Sequence, residues 1–270
     1  MRTGVAFGLA HATLRLGGKV LWADLSLSVP NAEFVAVLGP NGTGKTSLLR
    51  TLLGLQPLSA GRVEVLGSAP RHGTPLVGYV PQQRAFDPDL TVRGRDLVAM
   101  GLNGHRWGFT VRPEPVERRV NEFLELVGAR GYADAAIGRL SGGEQQRLRI
   151  AQALIGEPRL LLCDEPLLSL DMSSQQTIVQ LLAEWSHRRG VTVVFVAHDI
   201  NPLLGAVDRV LLLAGGRWAF GSVEEVLTSA TLTRLYNSPV EVVRLGQRVV
   251  VVGAELGGHD HLPEHSAVSQ

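Results

Sequence analysis

Gly39-Pro40-Asn41-Gly42-Thr43-Gly44-Lys45-Thr46 matches Gly-x4-Gly-Lys-[Ser/Thr] in full. Glycines at these positions let backbone N–H groups turn inward around phosphate oxygens, and the helix that follows presents its positive N-terminal end to the same anion. Lys45 should reach the β- and γ-phosphates of a nucleotide, and the Thr46 hydroxyl, with Ser47 beside it, should face a divalent metal. An ordinary glycine turn before a helix would explain the glycines but not the lysine. The chain has 26 basic residues, of which only Lys19 and Lys45 are lysine, so background frequency is a poor reason for a lysine in this loop. Downstream, Leu160-Leu161-Leu162-Cys163 is an apolar run that ends in two carboxylates, Asp164 and Glu165. A strand of this kind delivers both acids to one sheet edge, where Asp164 is placed to hold Mg²⁺.

A third cluster is the octet Leu140-Ser141-Gly142-Gly143-Glu144-Gln145-Gln146-Arg147. Ser141 and Glu144 form a capping box and need no further reason to be there. Gly142 and Gly143 do need one, because glycine destabilises a helix by about 1 kcal/mol per position relative to alanine. They make sense if a backbone or an anion must approach the helix N-terminus closely.

These clusters need particular elements to carry them. Glu33 to Leu38 reads as a buried strand ending at the glycine loop, with a helix over Lys45 to Leu53 after it. Further strands are expected at Val77 to Val80, Leu160 to Cys163 and Thr192 to Ala197, with a helix from Ser173 to Arg188 between the last two. Val5 to Val29 reads as short strands and turns. Between Gln83 and Arg139 strand signals vanish, and Thr91 to Met100 and Pro115 to Val127 have helical spacing. A Gly/Arg/Pro-rich loop around Asn103 to Pro113 joins those two helices. The expected fold is an α/β P-loop NTPase core with a mostly parallel sheet, an N-terminal antiparallel β region and an inserted α-helical subdomain at about 83–150. Residues 1–238 would form the domain. Residues 239–270 would be a short extension with two β-like runs, Val240 to Leu245 and Arg248 to Val252, and a disordered end bearing His259, His261 and His265.

The loop, the acidic pair and the octet together resemble the ATPase subunit of an ABC transporter, and the resemblance runs through nearly all 270 residues. It implies ATP and Mg²⁺ as cofactors, held by Gly39 to Ser47 with Thr46, Gln82 and Asp164 at the metal. It makes Glu165 the group that polarises the attacking water, Gln82 after Val80-Pro81 the glutamine that links the nucleotide to the helical subdomain, and His198 after Val193 to Ala197 the histidine that contacts the γ-phosphate. Ser141 and Gly143 would act on ATP bound to a second subunit, and Asp171 would cross the interface between the two. Leu16 stands where family members place an adenine-stacking aromatic. Leucine lacks π-stacking, so weak discrimination between ATP and GTP is expected, with Trp22 or Arg15 as substitutes for the missing ring.

The resemblance also implies partners: a second ATPase subunit in a homodimer, integral membrane permease subunits and, indirectly, a solute-binding protein. The place of action would be the cytoplasmic face of the cell membrane, with the permease contact near Phe86 to Gly101. Gly78 to Gln83, Leu90-Thr91-Val92, His198 to Pro202 and Leu235 to Val240 resemble the zinc/manganese importer branch, and siderophore and haem importers read similarly. The three late histidines suit zinc, but Gly257, Gly258 and Pro263 keep them off a common helix face, so a mobile tail with incidental histidines is expected.

Composition agrees with this reading. The net charge is +1 and no basic run exceeds a pair, which argues against a nucleic-acid partner. No apolar run approaches the ~20 residues of a membrane span, and no signal-peptide stretch is seen at the start. One cysteine, Cys163, excludes an internal disulfide and suits a reducing compartment. A soluble ABC-type ATPase acting on ribosomes or DNA would usually carry two cassettes or a long coiled-coil insertion. This chain has one loop, one octet and 57 residues from Gln83 to Arg139. A non-catalytic nucleotide-binding regulator would be expected to lack Glu165 and His198, and both are present.

Overall fold

The computed structural model describes residues 4–82, 86–103, 113–168, 170–246 and 248–253. The loop expected around Asn103 to Pro113 and the histidine-bearing tail lie mostly or wholly outside these residues.

The chain runs β1 (Val5–Leu16), β2 (Lys19–Pro30), β3 (Phe34–Leu38), α1 (Lys45–Leu52), β4 (Ala60–Val65), β5 (Val77–Val80), α2 (Gly94–Asn103), α3 (Glu114–Leu126) and α4 (Gly142–Leu154). It continues with β6 (Leu160–Asp164), α5 (Met172–Arg189), β7 (Thr192–Val196), β8 (Arg209–Ala214), β9 (Arg217–Gly221), α6 (Val223–Val226), α7 (Ser229–Tyr236), β10 (Glu241–Leu245) and β11 (Arg248–Val252).

The central sheet has the order β5-β6-β7-β3-β8-β9. Every pair in it is parallel except β8 with β9. Strands β3, β6 and β7 are fully buried, and apolar but for Asp164 at the end of β6 and Thr192 at the start of β7. That is the pattern of parallel strands covered on both faces. The period-2 alternation of β3 divides the interior. Phe34, Ala36 and Leu38 join one buried cluster with Val98 of α2, Phe123 of α3, Leu148 of α4 and Leu182 of α5. Val35 and Val37 join the other with Leu48 and Leu49 of α1 and the inner face of β1 and β2. Phe34 and Phe195 stack at 5.7 Å between adjacent strands.

The N-terminal region differs from its expectation. In place of short strands it forms two strands of 12 residues each, in an antiparallel sheet of order β2-β1-β4. The register shifts between Leu9 and Ala12, and His11 and Asp24 adopt positive φ of 48° and 52°. Such bulges break the in/out alternation while leaving the strand continuous. A reading by period 2 therefore cuts it into pieces.

Helix boundaries follow local chemistry. In α3, Val120, Phe123 and Leu124 form the buried stripe, at the spacing of one helix face. In α5, Asp171 caps the start and Gly190, at φ 72°, ends it. The two late runs pair with each other as an antiparallel hairpin.

Candidate nucleotide site

Because β5, β6, β7 and β3 are parallel neighbours, the residues following each of them emerge along one sheet edge. Gln82 follows β5, Asp164 and Glu165 end β6, His198 follows β7, and the glycine loop follows β3. The crevice beyond the carboxyl ends of such strands is where α/β sheets bind ligands.

The loop packs tightly at its first glycine. Gly39 has φ 143°, and a Cβ there would stand 2.1 Å from the Leu213 carbonyl oxygen of β8. Gly44, at φ 95°, precedes α1 as its N-cap, and a Cβ there would meet Trp22 Nε1 at 2.9 Å. Both positions therefore require glycine. The Thr43 hydroxyl donates to the Pro40 carbonyl at 2.9 Å, while Asn41 and Gly42 stay exposed. Lys45 is buried, and its ammonium donates to the carbonyls of Gly39 at 2.6 Å and Pro40 at 3.1 Å. Burial lowers the lysine pKa, opposed by the charges of Glu165 and Asp164. Ser47 lies in the first turn of α1, its carbonyl accepting from the Thr51 hydroxyl.

The Thr46 hydroxyl donates to Asp164 Oδ1 at 3.1 Å. Burial raises the Asp164 pKa, the Thr46 hydrogen bond opposes that rise, and the charge of Glu165 adds to it. Tyr79 of β5 also hydrogen bonds to Asp164, and its own phenol is pushed up to about 12, first by burial and then by the Asp164 charge. A hydroxyl and a carboxylate converging beside a phosphate loop form the oxygen donor set that Mg²⁺ takes, with substrate phosphates and water completing its octahedron. The residues fit the metal. Among the described residues no group of three or more His, Cys, Asp or Glu could hold an ion by itself, so the nucleotide's phosphates would be needed as ligands.

Glu165 is turned out of the strand by a positive φ of 51°. Such strain in a non-glycine residue persists only where the surroundings over-determine it. Here the carboxylate has two partners. Gln82 Nε2 donates to Oε2 at 2.8 Å, and His198 Nε2 lies 2.8 Å from Oε1. The order β5-β6-β7 is the reason, since Glu165 on the middle strand lies between residues delivered by its two neighbours. Gln82 thus meets Glu165 rather than the Thr46–Asp164 pair.

Ser141 and Glu144 form the expected reciprocal capping box. The Ser141 N–H and hydroxyl both donate to Glu144 Oε2, at 2.8 and 2.7 Å, and the Glu144 N–H donates to Ser141 Oγ at 3.4 Å. Ser141 is exposed at the start of α4, and Gly143 is half-buried behind it. Asp171 accepts from the hydroxyls of Ser173 and Ser174 at 2.5 and 2.7 Å, and these bonds hold its carboxyl well below the usual range. Leu16 ends β1 and is exposed. Trp22 does not replace the missing aromatic. It is fully buried under the loop, with Nε1 unpaired, because its position on β2 faces inward.

Three contacts here escape a linear reading. Besides Tyr79, Gln145 holds the octet's turn by donating to the carbonyls of Ile137 and Leu140, and its Oε1 accepts from the Phe86 N–H just beyond Gln82. Arg147 donates to the Val127 carbonyl and to Ser174 Oγ, joining α4 to the cap of α5. Only the parallel register and the helix packing reveal these pairs.

Comparison with known proteins agrees with this geometry. The sequence profile of the ABC transporter family matches residues 22–168. The manganese transport system ATP-binding protein MntB of Bacillus subtilis is 35% identical over 229 residues, covering 84% of this chain and 91% of that protein. The zinc transport system ATP-binding protein TroB of Treponema pallidum is 38% identical, covering 82% of each. The Fe(3+) ions import ATP-binding protein FbpC of Streptomyces avermitilis is 40% identical over 93% of this chain and 70% of that protein. Among solved structures, a putative metal-chelate type ABC transporter in an inward-facing conformation superposes with TM-score 0.77 at 27% identity, covering 92% of this chain and 96% of that one. The ATP-binding cassette MJ0796, a post-hydrolysis dimer bound to ADP and Pi, gives 0.69 at 28% identity, covering 80% and 98%. A glycine loop, an acidic pair and a glutamine–glutamate–histidine cluster on one sheet edge, under a matching family profile, make this chain a member of the ABC transporter family and one of its ATPases.

Proposed function

We propose that the chain is the ATP-hydrolysing subunit of an importer of divalent metal ions, zinc or manganese, and that it works as a homodimer on membrane permease subunits. The observation that carries the catalytic part is the shared Glu165 carboxylate, bonded to Gln82 on one side and His198 on the other beside the Lys45 loop. In this reading Gly39 to Ser47 wrap the phosphates and Lys45 leaves its loop carbonyls for the β- and γ-oxygens. Thr46 and Asp164, with Gln82 near, would hold Mg²⁺, which would supply charge neutralisation to the phosphates. Glu165 accepts the proton of the attacking water, and His198 holds the γ-phosphate end.

Ser141 and Gly143 act on the partner subunit's nucleotide, as neutral donors at a helix N-terminus do for developing negative charge. The exposure of Ser141 supports that role, as does the dimer of the MJ0796 cassette bound to ADP and Pi. Asp171 then lies at the interface between subunits. Leu16 covers one face of the base. The metal substrate is supported by the names of MntB and TroB. FbpC, named for Fe(3+), keeps iron import as the second reading. No helix of the described residues is long and apolar enough to cross a membrane, so attachment at the cytoplasmic face would run through the permease. A solute-binding protein would complete the importer.

Complementation tests the shared site. Lys45→Ala lacks its own loop but offers an intact octet, and Ser141→Arg does the reverse. Each alone should be inactive. An equimolar mixture forms half its dimers as heterodimers with one whole site of two, so it should recover about a quarter of wild-type activity. No recovery in a mixture shown to exchange subunits would overturn the trans arrangement. Co-purification of the permease from native membranes, followed by uptake assays with zinc, manganese and iron, identifies the cargo.

A further inference from the structure

The segment after β7 makes a contact that the nucleotide site does not use. His198 is followed by Asp199, and Asn201 opens a short 3-10 turn through Leu203. Asp199 Oδ1 accepts from both the backbone N–H of Asn201 at 2.9 Å and its Nδ2 at 2.7 Å. Residues 199–201 are thereby closed into one turn. The rest of the Asn201 amide reaches out of this turn to the C-terminal hairpin. Nδ2 donates to the Val249 carbonyl at 3.0 Å, and the Val249 N–H donates to Oδ1 at 2.9 Å.

Val249 lies on β11 opposite Arg244 of β10. Because its N–H and C=O are spent on Asn201, they point away from β10, as they do at the non-hydrogen-bonded pairs of an antiparallel ladder. The Asn201 amide presents one donor and one acceptor side by side, like a residue of a neighbouring strand, and it closes that edge of the hairpin at this point. The hairpin is itself anchored. Val240 and Val249 are buried in the same cluster as Ile200 and Leu203. The Thr233 hydroxyl of α7 donates to the Val240 carbonyl and accepts from its N–H, and Val242 N–H donates to Ser229 Oγ.

We infer that Asn201 is a positioning residue for His198, and that the C-terminal hairpin is through it a working part of the hydrolytic site. The inference rests on the proposed role of His198 beside Glu165. On its strand side, the His198 segment is held by Ala197 N–H donating to the Val37 carbonyl at 3.1 Å. On the other side the 199–201 turn and its clamp on Val249 fix it. His198 Nε2 must sit within hydrogen-bond range of Glu165, where it stands at 2.8 Å, and a displacement of about 1 Å at a reacting centre lowers rate by ~10²-fold. The C-terminal hairpin would thus set the precision of a group delivered by β7, the strand next to the one that carries the phosphate loop.

A double-mutant cycle separates positioning from mere docking of the hairpin. Asn201→Ala removes the clamp and the side-chain bond to Asp199. It should lower kcat about tenfold with KM for ATP within about twofold, since the phosphate loop is untouched. The same substitution in a His198→Ala background should lower Tm by as much as it does in wild type while leaving the residual kcat unchanged. An equal fold-loss of kcat in both backgrounds, or an unchanged kcat in Asn201→Ala, overturns the inference. If His198→Ala alone leaves kcat unchanged, the proposed role of His198 fails first, and the cycle shows this separately. Should Asn201→Ala fold poorly, Asn201→Asp keeps an acceptor for Val249 N–H but loses both Nδ2 bonds, and the same cycle applies. The His198 ring resonances should shift in either variant, and unmoved resonances count against positioning.

Discussion

Glu165→Gln is the perturbation on which the geometry makes the sharpest statement. The wild-type carboxylate accepts from Gln82 Nε2 and lies against His198 Nε2, each at 2.8 Å. A glutamine has one acceptor oxygen and one donor amide. If the oxygen keeps Gln82, the new NH₂ faces His198, and a neutral imidazole answers by carrying its proton on Nδ1 and accepting at Nε2. The network survives with one bond reversed, a net change on the order of 1 kcal/mol. Nothing in the phosphate loop is altered, so ATP affinity should stay within a few-fold of wild type. What disappears is the proton acceptor for water. General-base catalysis contributes ~10²–10⁴-fold, equivalent to about 2.7–5.4 kcal/mol of barrier. The assays are steady-state phosphate release at saturating Mg-ATP, equilibrium binding of a fluorescent ATP analogue, and light scattering after gel filtration with ATP. The expected result is unchanged binding, turnover down at least about a hundredfold, and an ATP-bound dimer that accumulates because it cannot reset. Turnover within about tenfold of wild type, with binding intact, would refute the assignment of Glu165 as base. Glu165→Ala is the control, since it leaves both neighbours without the carboxylate.

Three further outcomes follow from the same site. Asp164→Asn should raise the Tm of the nucleotide-free protein at neutral pH, because burial first, and Glu165 second, make the ionised Asp164 unfavourable in the fold. A carboxyl with a raised folded pKa costs no stability below its unfolded value of 3.8, and its cost grows as pH rises through the folded value. The advantage of the variant in thermal melts should therefore vanish toward pH 4 and grow as pH rises above it, and a Tm at or below wild type at pH 7 would contradict this. Leu16→Tyr should tighten ATP binding, since base–aromatic stacking contributes ~1–3 kcal/mol. The parent protein should hydrolyse GTP at no less than about a tenth of its ATP rate, because leucine covers a base without reading it, and a stricter preference in matched kinetic assays would show that another residue selects adenine.

The sequence by itself determined the chemistry. Gly39 to Thr46, the Asp164–Glu165 pair and the octet at Leu140 to Arg147 are local strings whose residue types state their chemistry, and a buried parallel strand announces itself by an unbroken apolar run such as Phe34 to Leu38. What it could not determine was which side chains meet. The sheet order put β6 between β5 and β7, and that alone makes Glu165 the common partner of Gln82 and His198, which lie 83 and 33 residues away along the chain. The two long N-terminal strands were hidden by bulges that disturb the period-2 pattern. Trp22 looked available to a base until the fold turned its face of β2 inward. The clamp between Asn201 and Val249 spans 48 residues and depends on which edge of a hairpin is left open. Local strings fix what a residue can do because covalent identity and near neighbours decide it. Partnership across the chain is decided by strand order and register, which only the packed molecule settles.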